Sequence, residues 1–424
     1  DGGNAHTPAR FVPLAAIAIA VFVAGHTLAG PVGEDVKHGQ ASFHRDGEHT
    51  LIDVGTQKAI INYDSFNLTR EESVRFQQLS RSSRVLNRIQ GASPTVINGS
   101  LTANGQVYFV NPAGVMFGQH ATINTAGIYA AAGNIANADF LNNVDRFTNL
   151  SGHVVNRGSI NAQFVATMVA GDEVTLARHN DTVSVSFTRD ADAPDDNSDI
   201  AAVSNNGTID AGENGQTTLA AGDMYWLGVK QSETGSVEAG KVAVNAEGGK
   251  AELTGKVDAG DSAVVAADEI AFYNLDIGVG DVNLTGNRVT VGNVAGPGAV
   301  EVTGTPRDDL MVLDFGYGTA LPGGGLSFDA GSQQNPKPLG DALEVRGGSF
   351  DTVGITYTDA MSEGFSGSLS FDGYVVEFAG FEPLANSGSA ANIIYTLPAG
   401  GNPDAVLSDD GTPNDNVSQI DGST

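Results

Sequence analysis

The chain of 424 residues contains no cysteine and only one tryptophan. Without thiols it can form neither disulfide bonds nor thiolate metal sites, so its stability depends on backbone pairing and on burial of apolar side chains. Basic residues are also scarce, with 21 Lys and Arg against 50 Asp and Glu and a formal net charge of −29. Such an acidic surface repels phosphate backbones and argues against nucleic acid as a partner.

Long apolar runs are also missing, apart from one near the N-terminus. Phe11–Val23 follows Arg10 and has the length of a signal-peptide core, too short to span a bilayer comfortably. Thr27-Leu28-Ala29 resembles a cleavage site, so residues 1–29 are predicted to be an export signal. The alternative is a buried strand or helix of the core. No membrane span is expected in the mature chain.

Glycine, by contrast, is abundant, with 55 residues, and it recurs in one short phrase. Glycine, a variable residue, an aliphatic residue, a second variable residue and alanine follow one another in five places: Gly99–Ala103, Gly158–Ala162, Gly207–Ala211, Gly235–Ala239 and Gly255–Ala259. The last copies lie roughly 20 to 30 residues apart, which is the spacing of a solenoid repeat. In each copy the aliphatic side chain can point inward while its neighbours point outward.

The sequence therefore predicts an all-β protein built as a right-handed parallel β-helix, a solenoid of stacked coils. Each strand would pair its backbone groups with the coils above and below it, and the inward aliphatic side chains would form one apolar column. The alternative is a β-sandwich whose glycine-rich turns are similar by accident.

The densest cluster of strand and turn signals lies in Asn98–Gly133. Val107–Val110, a run of β-branched and aromatic residues, indicates a buried strand. It enters Asn111-Pro112-Ala113-Gly114, which has the residues that a type I turn favours. A second apolar run, Val115–Phe117, follows. Because the turn lies between two apolar strands, it is predicted to nucleate the first closed coil.

This stretch resembles the N-terminal secretion domain of the filamentous haemagglutinin-like exoproteins of bacterial two-partner secretion. That family has an Asn-Pro-Asn-Gly turn followed by Ile or Leu. Asn111, Pro112 and Gly114 match the turn, whereas Ala113 and Val115 depart from it. The resemblance extends over residues 32–135 through two upstream blocks, Ile60–Asn67 and Val85–Ile89.

The resemblance implies a parallel β-helix and an export pathway. The signal would direct the chain across the inner membrane. The periplasmic domains of a partner outer-membrane β-barrel transporter would then recognise the secretion domain while it is extended. In the family, the residues that match Asn111, Pro112 and Gly114 belong to the turn used for secretion. The sequence leaves three alternatives for this turn. The transporter recognises it directly, it helps to form the coil, or it is a plain turn without a recognition role.

Thr69–Glu72 gives a conflicting signal, because Thr-x-x-Glu is a capping box and would start a helix. The residues that follow, Ser73–Gln77, alternate as those of a strand do. The resembled family is also extended at this place. We therefore predict a strand after Glu72.

Two segments are predicted to leave the coils as excursions, Phe140–Asn156 and Asp190–Asp199. The second is rich in carboxylates, the oxygen ligands that calcium prefers. These possible calcium ligands are Asp190, Asp192, Asp195, Asp196 and Asp199. The segment lacks the glycine and the terminal glutamate of an EF-hand loop, so a solvated loop is the alternative to a Ca²⁺ site.

From about Gly296 the strands become longer and are separated by turns rich in glycine and aspartate. Residues 30–295 are accordingly predicted to be the secretion domain and β-helix, and residues 296–424 a second β-rich region. That region is either a separate all-β unit or a less regular continuation of the coil. Because the sequence stops within a polar stretch, we expect a longer protein to continue beyond it.

The sequence offers little that points to catalysis, and no enzyme is predicted. Gly364–Ser368 misses the last glycine of a nucleophile elbow, and metalloprotease and phosphate-loop motifs are missing. His38, His44 and His49 are close in sequence, but their spacing puts His49 on the opposite side of a strand, so surface histidines are expected. Parallel β-helices also include polysaccharide lyases and glycosidases, yet no carboxylate pair with a proton acceptor stands out.

We therefore interpret the chain as a secreted or cell-surface exoprotein, adhesin-like by resemblance, that passes through the periplasm and outer membrane. Its expected partners are the transporter and a host or matrix glycan or protein ligand. Calcium is the only cofactor considered. The alternatives are a structural cell-envelope solenoid without a dedicated transporter and a glycan-cleaving β-helix enzyme.

Overall fold

The computed structural model describes residues 30–171, 173–179, 182–188, 200–222, 226–331, 340–361, 364–381, 384–398, 406–409 and 418–421. These residues contain strands β1–β37, one short helix, α1 (Asn137–Leu141), and one 3₁₀ turn, Phe315–Tyr317. The predicted all-β class is therefore confirmed.

In chain order the strands are β1 (Gly30–Val32), β2 (Asp35–His38), β3 (Ala41–Asp46), β4 (His49–Val54), β5 (Lys58–Tyr63), β6 (Ser65–Asn67), β7 (Ser73–Gln78), β8 (Arg84–Ile89), β9 (Thr95–Ile97), β10 (Ser100–Ala103), β11 (Gln106–Val110), β12 (Val115–Phe117), β13 (Thr122–Ala131), β14 (Asn134–Ile135), β15 (Asp145–Thr148), β16 (Val154–Asn156), β17 (Ser159–Ala170), β18 (Glu173–His179), β19 (Thr182–Thr188), β20 (Val203–Asn205), β21 (Thr208–Asp210), β22 (Gln216–Ala221), β23 (Leu227–Gln231), β24 (Ser236–Ile277), β25 (Asp281–Thr285), β26 (Arg288–Ala295), β27 (Val300–Thr303), β28 (Leu310–Asp314), β29 (Leu326–Asp329), β30 (Ala342–Arg346), β31 (Ser349–Met361), β32 (Gly364–Phe371), β33 (Tyr374–Phe381), β34 (Leu384–Asn386), β35 (Ser389–Thr396), β36 (Val406–Asp409) and β37 (Ser418–Asp421).

From β4 onward, the strands that form the solenoid stack in parallel on three faces. Face A contains β4, β7, β10, the starts of β13 and β17, β21 and the start of β24. Face B contains β5, β8, β11, the ends of β13 and β17, and β22. Face C contains β9, β12, β16, β20 and β23. This arrangement is a parallel β-helix, as predicted.

The bore of the helix is filled by one apolar cluster that runs through the coils. On face A, Leu101 pairs with Ile123, Ile123 with Ile160, Ile160 with Ile209 and Ile209 with Val237. All five side chains are at most 1% exposed. The aliphatic position of the recurrent phrase therefore lines the bore, as predicted, because the residues on either side of it in the strand point outward.

The N-terminal end of the bore is covered by antiparallel strands. β1 pairs with β6, β2 with β5, and β3 with β4. Phe43 of β3 lies edge-on to Tyr63, whose ring is edge-on to Phe66. These strands give the solenoid the cap that stacked repeats require at their ends.

The strand predicted after Glu72 is confirmed, and the capping residues still bond to each other. The backbone N–H and the hydroxyl of Thr69 both donate to Glu72 Oε2, at 2.6 and 2.9 Å. The N–H of Glu72 donates to the Thr69 carbonyl at 3.3 Å, which closes a turn. The chain then enters β7, because pairing with β4 and β10 gives its backbone groups partners that a helix would otherwise supply.

A small antiparallel sheet lies outside the solenoid, against face B. Its strand order is β14, β15, β18, β19, and α1 connects the first two strands. It begins at Asn134, before the predicted start of the excursion at Phe140, and β16 is already back on face C at Val154. The sheet covers outward side chains of face B, such as Leu86, Tyr108 and Tyr129, and forms a second apolar cluster with them.

The parallel ladder runs across Gly296 without a break. On one side β25 pairs with β27, β27 with β29 and β29 with β33. On another side β26 pairs with β28, β28 with β30 and β30 with β34. Antiparallel pairing of β31, β32 and β33 interrupts the regular coils. Beyond Gly296, the pairing of β27–β34 is therefore that of a less regular continuation of the coil. The division of the chain into two regions at Gly296 stays a prediction.

Candidate functional site

The predicted turn is a corner of the solenoid between β11 on face B and β12 on face C. The Gly114 N–H donates to the Asn111 carbonyl at 2.9 Å, and the Ala113 N–H donates to Asn111 Oδ1 at 2.9 Å. The Asn side chain thus repeats the backbone turn within the corner, as Asx turns do. We name residues 111–114 the Asn-Pro corner.

Asn111 binds the preceding coil as well as its own turn. Its Nδ2 donates to the Ser93 carbonyl at 3.0 Å and to Thr95 Oγ1 at 3.1 Å. Its backbone N–H donates to the Ala131 carbonyl of the following coil at 3.1 Å. The residue is 0% exposed. One buried side chain therefore joins the corner to the coil before it, and its backbone joins the corner to the coil after it.

Gly114 is required at the corner for two reasons. Its φ is +114°, a conformation that L side chains rarely adopt, and a Cβ here would lie 2.8 Å from the His153 carbonyl oxygen. That carbonyl accepts the Val115 N–H at 3.0 Å, so the approach cannot be relaxed without breaking an inter-coil hydrogen bond.

Only part of the corner is accessible to a partner when the protein is folded. Pro112 is exposed and Ala113 is half-buried, whereas Asn111 and Gly114 are buried. A shallow groove of about 450 Å³ adjoins the corner and is lined by Arg88, Gln90, Pro112 and Ser151 among others.

The upstream blocks of the resemblance position the coils around the corner. Asn87 points into the bore, is 0% exposed and donates from Nδ2 to the Tyr108 carbonyl at 3.1 Å. Arg88 points outward and donates to Asn134 Oδ1 at 2.8 Å and to the Ile135 carbonyl at 2.6 Å. Arg88 therefore fastens the first strand of the outer sheet to face B.

A buried ion pair, which the sequence did not indicate, holds the same sheet. Arg84 of β8 contacts Asp145 of β15, and both are less than 10% exposed. Tyr108 accepts a hydrogen bond from Arg84 and donates to Asp145 at 3.2 Å, and its ring stacks on Tyr129 with centroids 4.0 Å apart. Burial raises the pKa of the Asp145 carboxyl, because desolvation outweighs the attraction of Arg84.

The sequence of β11 indicates that another layer covers the outside of face B, but it does not show which segment forms that layer. Val107–Val110 has no polar residue on either side of its strand, and both sides are buried. A strand that is apolar on both sides is covered on both sides.

The other sequence candidates contribute no site that the structure can describe. The five aspartates of the possible calcium segment, Asp190–Asp199, lie outside the described residues. Within the described ranges no group of three or more His, Asp or Glu side chains could hold a metal ion. The three histidines lie on different strands, β2, β3 and β4, and are exposed, so His38 and His44 do not share a strand face as the spacing suggested. Ser366 lies within β32, between antiparallel strands, and not at a strand-to-helix elbow.

Among the residues that the structure describes, no helix is both long enough and apolar enough to cross a bilayer.

Comparison with known proteins places this geometry among secretion domains. The sequence profile of the TPS secretion domain matches residues 29–341. A heme/hemopexin-binding protein of Haemophilus influenzae is 31% identical over 238 residues, which cover 51% of this chain and 24% of that protein. A second heme/hemopexin-binding protein of Haemophilus influenzae is 37% identical over 97 residues, 23% of this chain and 10% of that protein. The chain thus spans no more than about a quarter of the length of these curated relatives.

The HMW1 secretion domain from Haemophilus influenzae has a similar solved structure. It aligns with a TM-score of 0.55 and 19% identity over 86% of this chain and 100% of the HMW1 domain. At this identity the likeness shows a shared fold.

Proposed function

Because the chain belongs to the TPS secretion domain family, we propose that its β-helix is the export module of an exoprotein that reaches the cell surface or the medium. A partner outer-membrane β-barrel transporter would carry the chain, and its periplasmic domains would bind the module in extended form. Folding outside the cell then makes export irreversible, because each new coil adds backbone pairing and apolar burial.

The observation that supports this proposal best is the Asn-Pro corner. Asn111 joins its own turn to the preceding coil through three side-chain hydrogen bonds. Its neighbour Gly114 leaves room for the backbone of the following coil. A corner that contacts three successive coils becomes more stable only as those coils assemble, so it favours nucleation in this part of the chain.

The export test replaces Asn111 with alanine in the full chain, coexpressed with its transporter. Loss of the carboxamide leaves buried backbone and hydroxyl groups without a partner, which costs about 1–3 kcal/mol. We expect less released protein and slower refolding of the purified chain. Released protein is measured by immunoblot of the medium and the cell surface.

A matched control is Asn205→Ala. Asn205 is also 0% exposed, and it donates from Nδ2 to Gln231 Oε1 at 3.3 Å and to the Ser236 carbonyl at 3.1 Å. It lies on β20, two coils after β12 on face C. Equal loss of release in the two variants, at equal loss of stability, would contradict a special role for the Asn-Pro corner.

Direct reading of the corner by the transporter is tested by Pro112→Ala. Pro112 is exposed, so its replacement leaves the buried contacts of Asn111 in place. If the turn acts through coil formation, this variant is released normally and binds the transporter's periplasmic domains as the parent does. Lost binding with unchanged refolding would transfer the role to recognition.

Beyond export, we propose a role for the protein at the cell surface. An adhesin-like role with a glycan or protein ligand follows from the family, and a cell-envelope solenoid without a dedicated transporter is the alternative. Release that is unaffected by deletion of the transporter gene would favour that alternative. A non-enzymatic role and calcium binding at Asp190–Asp199 are proposed on sequence grounds alone.

A further inference from the structure

We propose that a corner groove far from the Asn-Pro corner binds a neutral sugar unit of a glycan. The groove has a volume of about 560 Å³ and lies where face C turns into face A, with Glu233, Ser236, Lys256, Asn274 and Asn293 among its lining residues. We call it the corner notch. It is an open depression rather than an enclosed cavity, so a ligand bound there keeps part of its surface in solvent. This inference rests on the adhesin-like role proposed above, for which it names a site and a ligand class, and it does not depend on the export route.

The floor of the notch is backbone. A Cβ on Gly235 would lie 2.5 Å from the Asn205 carbonyl oxygen, and a Cβ on Gly255 would lie 2.5 Å from the Gly235 carbonyl oxygen. Gly255 also has a φ of +88°. No side chain fits at either position because the backbones of successive coils approach closely here, so no side chain covers the backbone at this corner.

The wall of the notch is a pair of stacked asparagines. Asn274 and Asn293 occupy the same corner in the next two coils and have φ values of 50° and 51°. Asn293 Nδ2 donates to Asn274 Oδ1 at 2.8 Å, which fixes the orientation of both carboxamides. The Nδ2 of Asn274 has no acceptor among the described residues, so its two N–H groups are free to donate. Because the Asn274 carboxamide is held in one orientation, its two N–H groups can donate to a ligand without first becoming ordered.

Other groups of the notch are also free to make hydrogen bonds. The Ser236 hydroxyl and the Glu233 carboxylate have no partner in the part of the chain that the structure describes. Lys256, by contrast, is paired with Asp258 at 2.9 Å and with Glu238 at 3.7 Å. Amide, hydroxyl and carboxylate groups together offer both donors and acceptors, as a ligand rich in hydroxyl groups requires.

The charge and polarity of the notch exclude other classes of ligand. Its lysine is neutralised, and the chain has a net charge of −29, so anionic ligands are repelled. Leu275 is the one large apolar residue that lines the notch, and it is only 3% exposed, so a hydrophobic ligand finds no large apolar side chain to pack against. A neutral polyhydroxyl compound remains, and the pyranose units of glycans are such compounds.

Aromatic surface lies on the same coils. Tyr273, next to Asn274, stacks on Tyr317 with ring centroids 4.1 Å apart and planes 16° apart. Gly292 lies between the two in the ladder, and a Cβ there would approach the Tyr317 ring at 3.0 Å. Tyr317 is 41% exposed. Tyr317 adjoins the notch without lining it, because a Cβ on its neighbour Gly318 would lie 2.4 Å from Asn293 Oδ1. A sugar ring that extends past Asn293 would meet this exposed aromatic ring.

The test titrates the purified, refolded full chain with three neutral tetrasaccharides: maltotetraose, cellotetraose and lacto-N-tetraose. Binding is followed by saturation-transfer NMR and calorimetry, with 3′-sialyllactose as the anionic comparison. We expect at least one neutral probe to bind at millimolar concentration or below and the sialylated probe to bind more weakly. Because the protein is refolded in vitro, a failure of this test leaves the export proposal untouched.

Two variants locate the binding. Asn274→Gly removes the carboxamide while glycine tolerates the positive φ, and Ser236→Ala removes the hydroxyl. Together they are expected to weaken binding about tenfold, as the loss of two hydrogen bonds would. Asn149→Gly is the matched control, because Asn149 has a φ of 54° and lies outside the notch, and it should bind as the parent does. Absence of binding by all three neutral probes, or equal binding by the double variant and the control, would overturn the proposal.

Discussion

At the residue scale, glycine in the recurrent phrase is selected by space more than by backbone conformation. A Cβ on Gly99 would lie 2.2 Å from the Glu72 carbonyl oxygen, and one on Gly207 would lie 2.2 Å from the Gly158 carbonyl oxygen. Among the five glycines of the phrase, Gly255 alone has a positive φ. The sequence shows that glycine recurs before each aliphatic residue of the phrase, but it does not show why. The reason is contact with the backbone of the neighbouring coil, and one copy of the phrase does not reveal which segment that coil contains.

Gly207→Ala should therefore destabilise the protein although its φ is ordinary. The new methyl group would overlap the backbone of the preceding coil, and relief requires the coils to move apart, at a cost of about 1–3 kcal/mol. Urea unfolding followed by circular dichroism measures the difference. Gly260→Ala is the control, because the nearest atom to its Cβ would be 3.7 Å away, and it should be neutral or slightly stabilising. Equal destabilisation by the two would refute the spacing argument.

Tyr273 supplies a pH prediction. Burial, with nearby Glu252, raises the pKa of the Tyr273 phenol to about 12 from an ordinary 10.0. Since the folded-state pKa is raised, the stability contributed by this group is fully present below pH 10.0 and is lost as the pH rises toward about 12. Ultraviolet titration of Tyr273→Phe should lack one late-titrating tyrosine. Loss of an early-titrating tyrosine would contradict the assignment.

At the scale of elements, the outer sheet of β14, β15, β18 and β19 is the part that sequence reading could not assemble. An excursion over Phe140–Asn156 was predicted, but the hairpin of β18 and β19 and its pairing with β15 were not. β15 and β18 are separated in sequence by two strands of the solenoid, β16 and β17, so their antiparallel pairing leaves no local signal. Arg84 and Asp145 are likewise ordinary surface residue types until the sheet buries them.

Arg84→Met should release this sheet while the β-helix stays folded. It removes the positive charge that faces the buried Asp145 carboxylate, and breaking a buried ion pair in this way costs about 3–5 kcal/mol. Hydrogen exchange measured by mass spectrometry should rise in β15 and β18 and stay low in β10 and β21. The double variant Arg84→Met/Asp145→Leu removes both charges and should restore protection. A uniform rise in exchange along the chain would contradict separate docking of the sheet.

At the scale of the whole molecule, the parallel ladder makes later coils depend on earlier ones. β27 and β28 pair with β25 and β26 across Gly296, so they lack a template when the preceding coils are removed. The change in composition at Gly296 was visible in the sequence, but it reflects the antiparallel insert of β31–β33 and longer turns. The composition of a segment reflects its turns and strand lengths, whereas the continuity of a ladder depends on which strands pair. The change in composition at Gly296 therefore does not mark a break in the ladder.

Fragments cut at this point should behave differently. Residues 30–295 keep their N-terminal cap and are expected to fold, with a β-type circular dichroism spectrum and cooperative thermal unfolding. Residues 296–424 alone are expected to give no cooperative transition. Independent folding of the second fragment would show a separate unit, contrary to the pairing across Gly296.

The antiparallel strands β1, β2 and β3 have a further consequence for association between molecules. An open parallel ladder presents unpaired backbone groups at its end, and two such ends can join into a growing fibre. Here the pairs β1–β6, β2–β5 and β3–β4 already occupy those groups at the N-terminal end. The free edge is thereby moved to short antiparallel strands with exposed charged residues, such as Lys37 and Arg45, and such an edge is a poor template for the parallel ladder of a neighbouring molecule.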